Sequence, residues 1–122
     1  MIINVGNDII EVSRIRANLE QYGQRFLDRI FTQEEQAYCC QFQDRAPRLA
    51  GRFAAKEAIS KALGTGFGKD LSWLDISIQN EFRGNPIVIL SHRANLHFDS
   101  PRVIISISHC KEYATAVALL LA

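Results

Sequence analysis

The chain has 122 residues, 48% of them apolar and 22% charged, and its 14 Lys and Arg nearly cancel its 13 Asp and Glu. That length suits one globular domain, residues 1–122, burying roughly 65 to 70% of its unfolded surface without metal or disulfide staples. A net charge of +1 argues against a protein whose main business is wrapping nucleic acid, and the longest purely apolar run, the seven residues Ala116 to Ala122, is far short of the ~20 a membrane helix needs.

The opening Met1-Ile2-Ile3-Asn4-Val5-Gly6 has neither a basic leader nor a small-residue cleavage site, so the expected location is cytoplasmic. Ile3 and Val5 alternate with Asn4, and Ile9, Ile10 and Val12 follow, which predicts an N-terminal strand carrying Asp8. From Ser13, a plausible N-cap, the period changes: Ile15, Leu19, Tyr22, Phe26 and Ile30 lie on one helical stripe that Gly23 weakens slightly. Thr32-Gln33-Glu34-Glu35 has the form of a capping box and opens a second helix that fades near Asp44. Pro47 opens a third helix through Leu63, with Gly64 at the left-handed C′ position. Its Ala50, Ala54, Ala58 and Ala62 recur every four residues as a low ridge that admits close approach of another backbone.

Leu74, Ile76 and Ile78 alternate as a half-buried strand, Gly84-Asn85-Pro86 turns the chain, and Ile87 to Leu90 forms a short strand. Ser91 to Ser100 reads equally as a short helix or a loop. The β-branched run from Arg102 to Ser108 and the apolar run from Ala114 to Leu121 make a hairpin turning at Cys110-Lys111-Glu112. The fold class is α+β. The three cysteines are an odd set, Cys39 and Cys40 adjacent and Cys110 distant, with no C-x-x-C pair, which suits reduced thiols rather than a disulfide framework or a zinc site.

Four features have a chemical as well as a plain reading. Asp8 breaks an apolar strand and needs a cation, a metal or donors if buried, or else simply caps a strand end. Phe53, Glu57 and Lys61 recur every four residues and form one stripe, either an ordinary Glu to Lys helix pair or the wall of a site. That stripe runs into Gly64-Thr65-Gly66-Phe67-Gly68, a C-cap or a source of backbone amides for a phosphate, though its place after the helix rules out a Walker-type cradle. His109 ends the Ser106-Ile107-Ser108 strand as a binding imidazole or a surface residue. On the first helix Arg14, Gln21 and Arg25, with Asn18 and Arg29 beside them, form a basic flank that is a solvated face or a dock for an acidic helical partner.

Gly6-Asn7-Asp8 with the following Ile-Ile-Glu, the block from Phe53 through Lys56-Glu57-Ala58 and Lys61 to Gly64-Thr65-Gly66, and Ser106-Ile107-Ser108-His109 followed by Tyr113-Ala114 together resemble the holo-acyl-carrier-protein synthases, the small 4′-phosphopantetheinyl transferases. The motifs stand in that family's order over nearly the whole chain, Ser91 to Pro101 matching loosely, and Asn7 occupies a position that is usually apolar there. The resemblance implies transfer of 4′-phosphopantetheine from coenzyme A to a serine of acyl carrier protein, with release of 3′,5′-ADP. It makes Asp8 and Glu57 the ligands of Mg²⁺, and Glu57, directly or through a metal-bound water, the base for the serine. It implies that Lys61, Gly64, Thr65, Gly66 and His109 hold the coenzyme A phosphates and nucleotide, with Phe53 and Pro86 as apolar walls. Arg14, Asn18, Gln21 and Arg25 lie where the family receives the carrier protein, and the implied assembly is a homotrimer with sites at subunit boundaries. A nucleotide- or helix-binding protein without turnover and a metal-dependent phosphohydrolase are the competing readings; two carboxylates facing phosphates argue against the first unless a metal intervenes.

Overall fold

The helix Ala46–Leu63 organises the molecule in the computed structural model, which describes residues 1–122. In chain order the elements are β1 Ile2–Glu11, α1 Val12–Tyr22, α2 Gln24–Ile30, α3 Gln33–Cys39, α4 Ala46–Leu63, a 3₁₀ turn Trp73–Asp75, β2 Ile76–Asn80, β3 Pro86–Leu90, α5 His92–His97, β4 Arg102–His109 and β5 Tyr113–Leu121. The architecture is α+β, as expected. The strands form two antiparallel sheets, β1-β5-β4 and β2-β3, and not one set.

Small residues let the larger sheet lie directly on α4. Ala114, Ala116 and Ala118 of β5 and Ala50, Ala54, Ala58 and Ala62 of α4 are all buried between them. The tightest point is Gly6, where an added Cβ would stand 2.0 Å from the Ala58 carbonyl oxygen. The alanine ridge is therefore consumed within the chain and is not available to a second copy. It also sets the height at which Asp8, two residues along the same face of β1, meets α4.

Local signals explain most boundaries. Thr32 and Glu35 form the capping box at the start of α3; Pro47 sits in the first turn of α4, and Gly64 closes it at φ 88°. Ser91 caps α5 through the Ala94 amide, which resolves that ambiguous segment as a short helix. Asp75 ties the 3₁₀ turn to α5, accepting from the Ser72 amide and hydroxyl, the Ser91 hydroxyl and the Arg93 guanidinium.

Several expectations are corrected. Gly23, at φ 56°, ends α1, so the long first helix is two helices. The break turns Tyr22 out to solvent and brings Leu27 into the core. Ser13 is not the N-cap, because β1 runs to Glu11 and helix begins at once. The second helix stops at Cys39, and Leu74 lies exposed in the 3₁₀ turn rather than in a strand.

The other face of the larger sheet has no cover. Ile3, Val5, Ile9, Ile104 and Val117 project from it, and Val5, Leu119 and Ile104 align in one cross-strand row. Asn7 lies on this face, opposite Asp8, in the row of Val117 and Ser106. No helix is long and apolar enough to cross a membrane.

Candidate active site

Asp8, Glu57 and Lys61 meet where β1 crosses the C-terminal half of α4. Lys61 Nζ donates to the Asn7 carbonyl at 2.9 Å and pairs with Asp8 Oδ1 at 3.2 Å. The Asp8 side chain is only 19% exposed, whereas Lys61 is 52% exposed and its ammonium reaches solvent. Glu57 stands one helical turn before Lys61, half-buried. Burial pushes its carboxyl above the ordinary carboxylate range, the facing Asp8 carboxylate pushes it further, and Lys61 draws it partly back. The one ammonium pairs with Asp8 and only partly offsets Glu57, which leaves an uncompensated negative charge.

Those carboxylates are hard oxygen donors, and no cluster of three or more His, Cys, Asp and Glu surrounds them. That donor set fits Mg²⁺, which keeps several waters and takes phosphate oxygens beside one or two carboxylates. It does not fit a closed structural zinc site.

The glycine segment is chiefly a helix cap. The amides of Gly64 and Gly66 turn back onto the Ser60 carbonyl, and that of Gly68 donates to Leu71. The Thr65 hydroxyl donates to the Gly66 carbonyl, so only the Thr65 and Phe67 amides find no partner in the chain. The supply of free amides is smaller than the glycine count suggests. Phe67 stacks on Trp73 at 3.9 Å between ring centroids, and Phe53 stacks on the same indole at 4.8 Å.

Pro86 and His109 are not beside this cluster. They line a separate pocket of about 210 Å³ with Arg48, Arg52, Tyr38 and Asn80. No acidic side chain lines it. Arg52 is 5% exposed, donates to the Asn80 amide oxygen, lies 4.2 Å over the Tyr38 ring and leaves its Nε without a partner. Arg48 lies 3.6 Å over the Phe42 ring. At about 100° per residue, Arg48 is on the opposite side of α4 from Glu57, and Arg52 about 140° round from it. The predicted coenzyme A residues thus fall into two groups facing different ways.

The predicted docking residues are also redistributed. A groove of about 360 Å³ between α1, α2 and the 3₁₀ turn is lined by Asn18, Arg25 and Arg29 on its polar side and by Tyr22, Phe26 and Trp73 among its apolar ones. Arg14 and Gln21, both on α1, are exposed but outside it.

Residues 4–118 match the 4′-phosphopantetheinyl transferase superfamily. The chain belongs to this family. It is 56% identical over 119 residues to a holo-[acyl-carrier-protein] synthase of Protochlamydia amoebophila, covering 98% of each chain, and 50% identical over 121 residues to that of Chlamydia pneumoniae, covering 99% of this chain and 98% of the other. Among solved structures it superimposes on a Helicobacter pylori holo-[acyl-carrier-protein] synthase in complex with coenzyme A with a TM-score of 0.88 at 36% identity, over 96% of this chain and 99% of that one. A Bacillus anthracis synthase in complex with CoA (3′,5′-ADP) gives 0.84 at 43% identity, over 98% and 96%.

In this transferase Arg48, Arg52 and Trp73 line these surfaces and lie outside the residues expected from the sequence. Arg48 and Arg52 recur with Arg45 at spacings of three and four, a basic helical stripe visible in the sequence. Trp73 carried no comparable signal, because nothing local tells which rings an indole will meet.

Proposed function

We propose that this transferase moves 4′-phosphopantetheine from coenzyme A to a serine of an acyl carrier protein, depends on Mg²⁺, and releases 3′,5′-ADP. The observation that carries the reading is the convergence of Asp8, Glu57 and Lys61 across β1 and α4, with Lys61 paired to Asp8 and the Glu57 carboxylate left without an ion-pair partner. Asp8 and Glu57 would hold the cation, whose charge offsets that of the pyrophosphate. Glu57, directly or through a water, takes the proton of the serine hydroxyl. The serine oxygen then forms its bond to the phosphorus bearing the pantetheine arm as the bond to the bridging oxygen breaks. Lys61, with an exposed ammonium, neutralises charge on the departing phosphate.

Arg48, Arg52 and His109 suit the anionic nucleotide end of coenzyme A, since their pocket combines two guanidiniums that have no carboxylate partner. Its orientation away from Glu57 and the uncovered apolar face of the larger sheet both favour a homotrimer in which neighbouring copies complete each site. The basic groove of Asn18, Arg25 and Arg29 receives the acidic carrier protein.

The test incubates coenzyme A with apo carrier protein, with and without Mg²⁺, and follows carrier mass and nucleotide release. The expected result is a carrier heavier by one phosphopantetheine group, with 3′,5′-ADP in equal amount, only when metal is present. Nucleotide release without carrier would mark a phosphohydrolase, and ligand binding without turnover a binding protein. Light scattering reports the assembly, and a fully active monomer overturns the shared site.

A further inference from the structure

Trp73 is the chain's only tryptophan, and its surroundings are built with unusual care. Its backbone carbonyl accepts from Lys56 Nζ at 3.1 Å. The same ammonium donates to the Ile30 carbonyl at 2.7 Å and pairs with Glu35 at 2.7 Å, both side chains being fully buried. Glu35 in turn accepts from the Thr32 and Ile78 amides. One cross-brace therefore locks the end of α2, the start of α3, β2 and the 3₁₀ turn to α4.

The indole held by that brace borders two places at once. It stacks on Phe53, one turn before Glu57 on the same stripe of α4, and on Phe67, which follows the Gly64-Thr65-Gly66 cap. It also lines the basic groove with Arg25, Arg29, Tyr22 and Phe26. A rigid ring shared by two neighbouring sites sets the position of a ligand in one relative to a ligand in the other. We infer that Trp73 is a positioning residue, a common wall through which the acidic carrier protein docked on α1 and α2 is set against the coenzyme A arm beside Phe53 and Glu57. This rests on the docking assignment proposed above and adds the residue that joins dock and chemistry.

The experiment compares Trp73→Ala, Trp73→Phe and, as a control on docking itself, Arg25→Glu, with separate kinetics for the two substrates. For Trp73→Ala the Michaelis constant for carrier protein should rise and kcat fall by roughly tenfold each, while coenzyme A affinity by calorimetry changes less than about threefold. Trp73→Phe, which keeps a stacking ring, should restore most of both. In the wild-type enzyme the emission of this single indole should shift when apo carrier protein is added without coenzyme A, a readout that needs no variant to fold. An emission that does not move at a saturating concentration of apo carrier protein, of a batch the enzyme is shown separately to modify, overturns the inference. So does Trp73→Ala with normal kinetics while Arg25→Glu still raises the carrier Michaelis constant. If Arg25→Glu has no effect either, the docking assignment has failed first.

Discussion

Two lysines five residues apart on α4 each pair with a carboxylate, and the pairs have opposite characters. Lys56 and Glu35 are wholly buried, and four backbone groups share their remaining hydrogen-bonding capacity. Burial draws the Lys56 ammonium below its ordinary range, Glu35 pulling it back. Lys61 and Asp8 are partly open, and the nearby Glu57 carboxylate lacks a cation of its own. A pair whose every donor and acceptor is used has nothing left for a ligand; a pair left short of positive charge does. The first arrangement suits holding elements in place, and the second suits receiving a metal and phosphates.

The widest separation between the pairs should appear on truncation of the carboxylates at the open one. Asp8→Ala and Glu57→Ala should each lower transfer by on the order of a thousandfold or more, measured by carrier-protein mass spectrometry, with the unfolding midpoint nearly unchanged. Because the environment of Glu57 disfavours its ionised form, Glu57→Gln should not lower stability at neutral pH. Wild-type rates in both alanine variants would remove Asp8 and Glu57 from the site.

Lys56→Met should do the reverse, costing about 3 to 5 kcal/mol of stability in urea unfolding because the Glu35 carboxylate is left buried without its cation. Adding Glu35→Gln should return part of that loss, since the amide oxygen still accepts from Thr32 or Ile78. An unaltered urea midpoint for Lys56→Met would mean that the two pairs do not differ as described.

A smaller effect is expected on the rim of the groove. Arg25→Glu should raise the Michaelis constant for carrier protein about tenfold and leave that for coenzyme A nearly unchanged, while Arg14→Glu, outside the groove, should act more weakly. Both effects should shrink as salt is raised. Equal effects would show that only the general field of the helix matters.

The smallest effect concerns Asp75, a carboxylate intermediate between the two pairs. Burial would raise it, but hydrogen bonds from Arg93, Ser91 and Ser72 outweigh that and hold it at about 2, against an ordinary 3.8. A depressed folded pKa contributes stability that is complete above the ordinary value and fades as pH falls from 3.8 towards 2. Thermal unfolding followed by circular dichroism between those limits should show a decline that is shallower in Asp75→Asn.

Much of the frame was legible because its signals are short-range. The capping box at Thr32, Pro47 and Gly64 at the ends of α4, and the β4 to β5 hairpin all follow from groups within a few residues of one another. Asp8, Glu57 and Lys61 were legible for a different reason: the first breaks an apolar strand, the others share a helical stripe, and all lie in blocks resembling the family. What was missed depends on distant partners. Lys56 and Glu35 look like ordinary charges on helix faces; nothing in 21 residues of separation announces that both will be fully buried together. Gly23 read as a mild weakness and proved to be a terminus, because its φ of 56° is available to glycine at little cost.

By itself the sequence determined the fold class, the cap positions and the stripe of α4 on which Glu57 and Lys61 stand, since periodicity and local hydrogen bonding set these before any long-range contact forms. Only the tertiary structure decided which charges are spent and which are free. That choice turns on burial and on partners far along the chain: Gly6 lets β1 lie against Ala58 and brings Asp8 to Lys61, Glu35 neutralises Lys56, and Arg52 faces Asn80 rather than a carboxylate. Desolvation makes each such pairing decisive, because a charge removed from water must find its partner in the fold or remain available to a ligand.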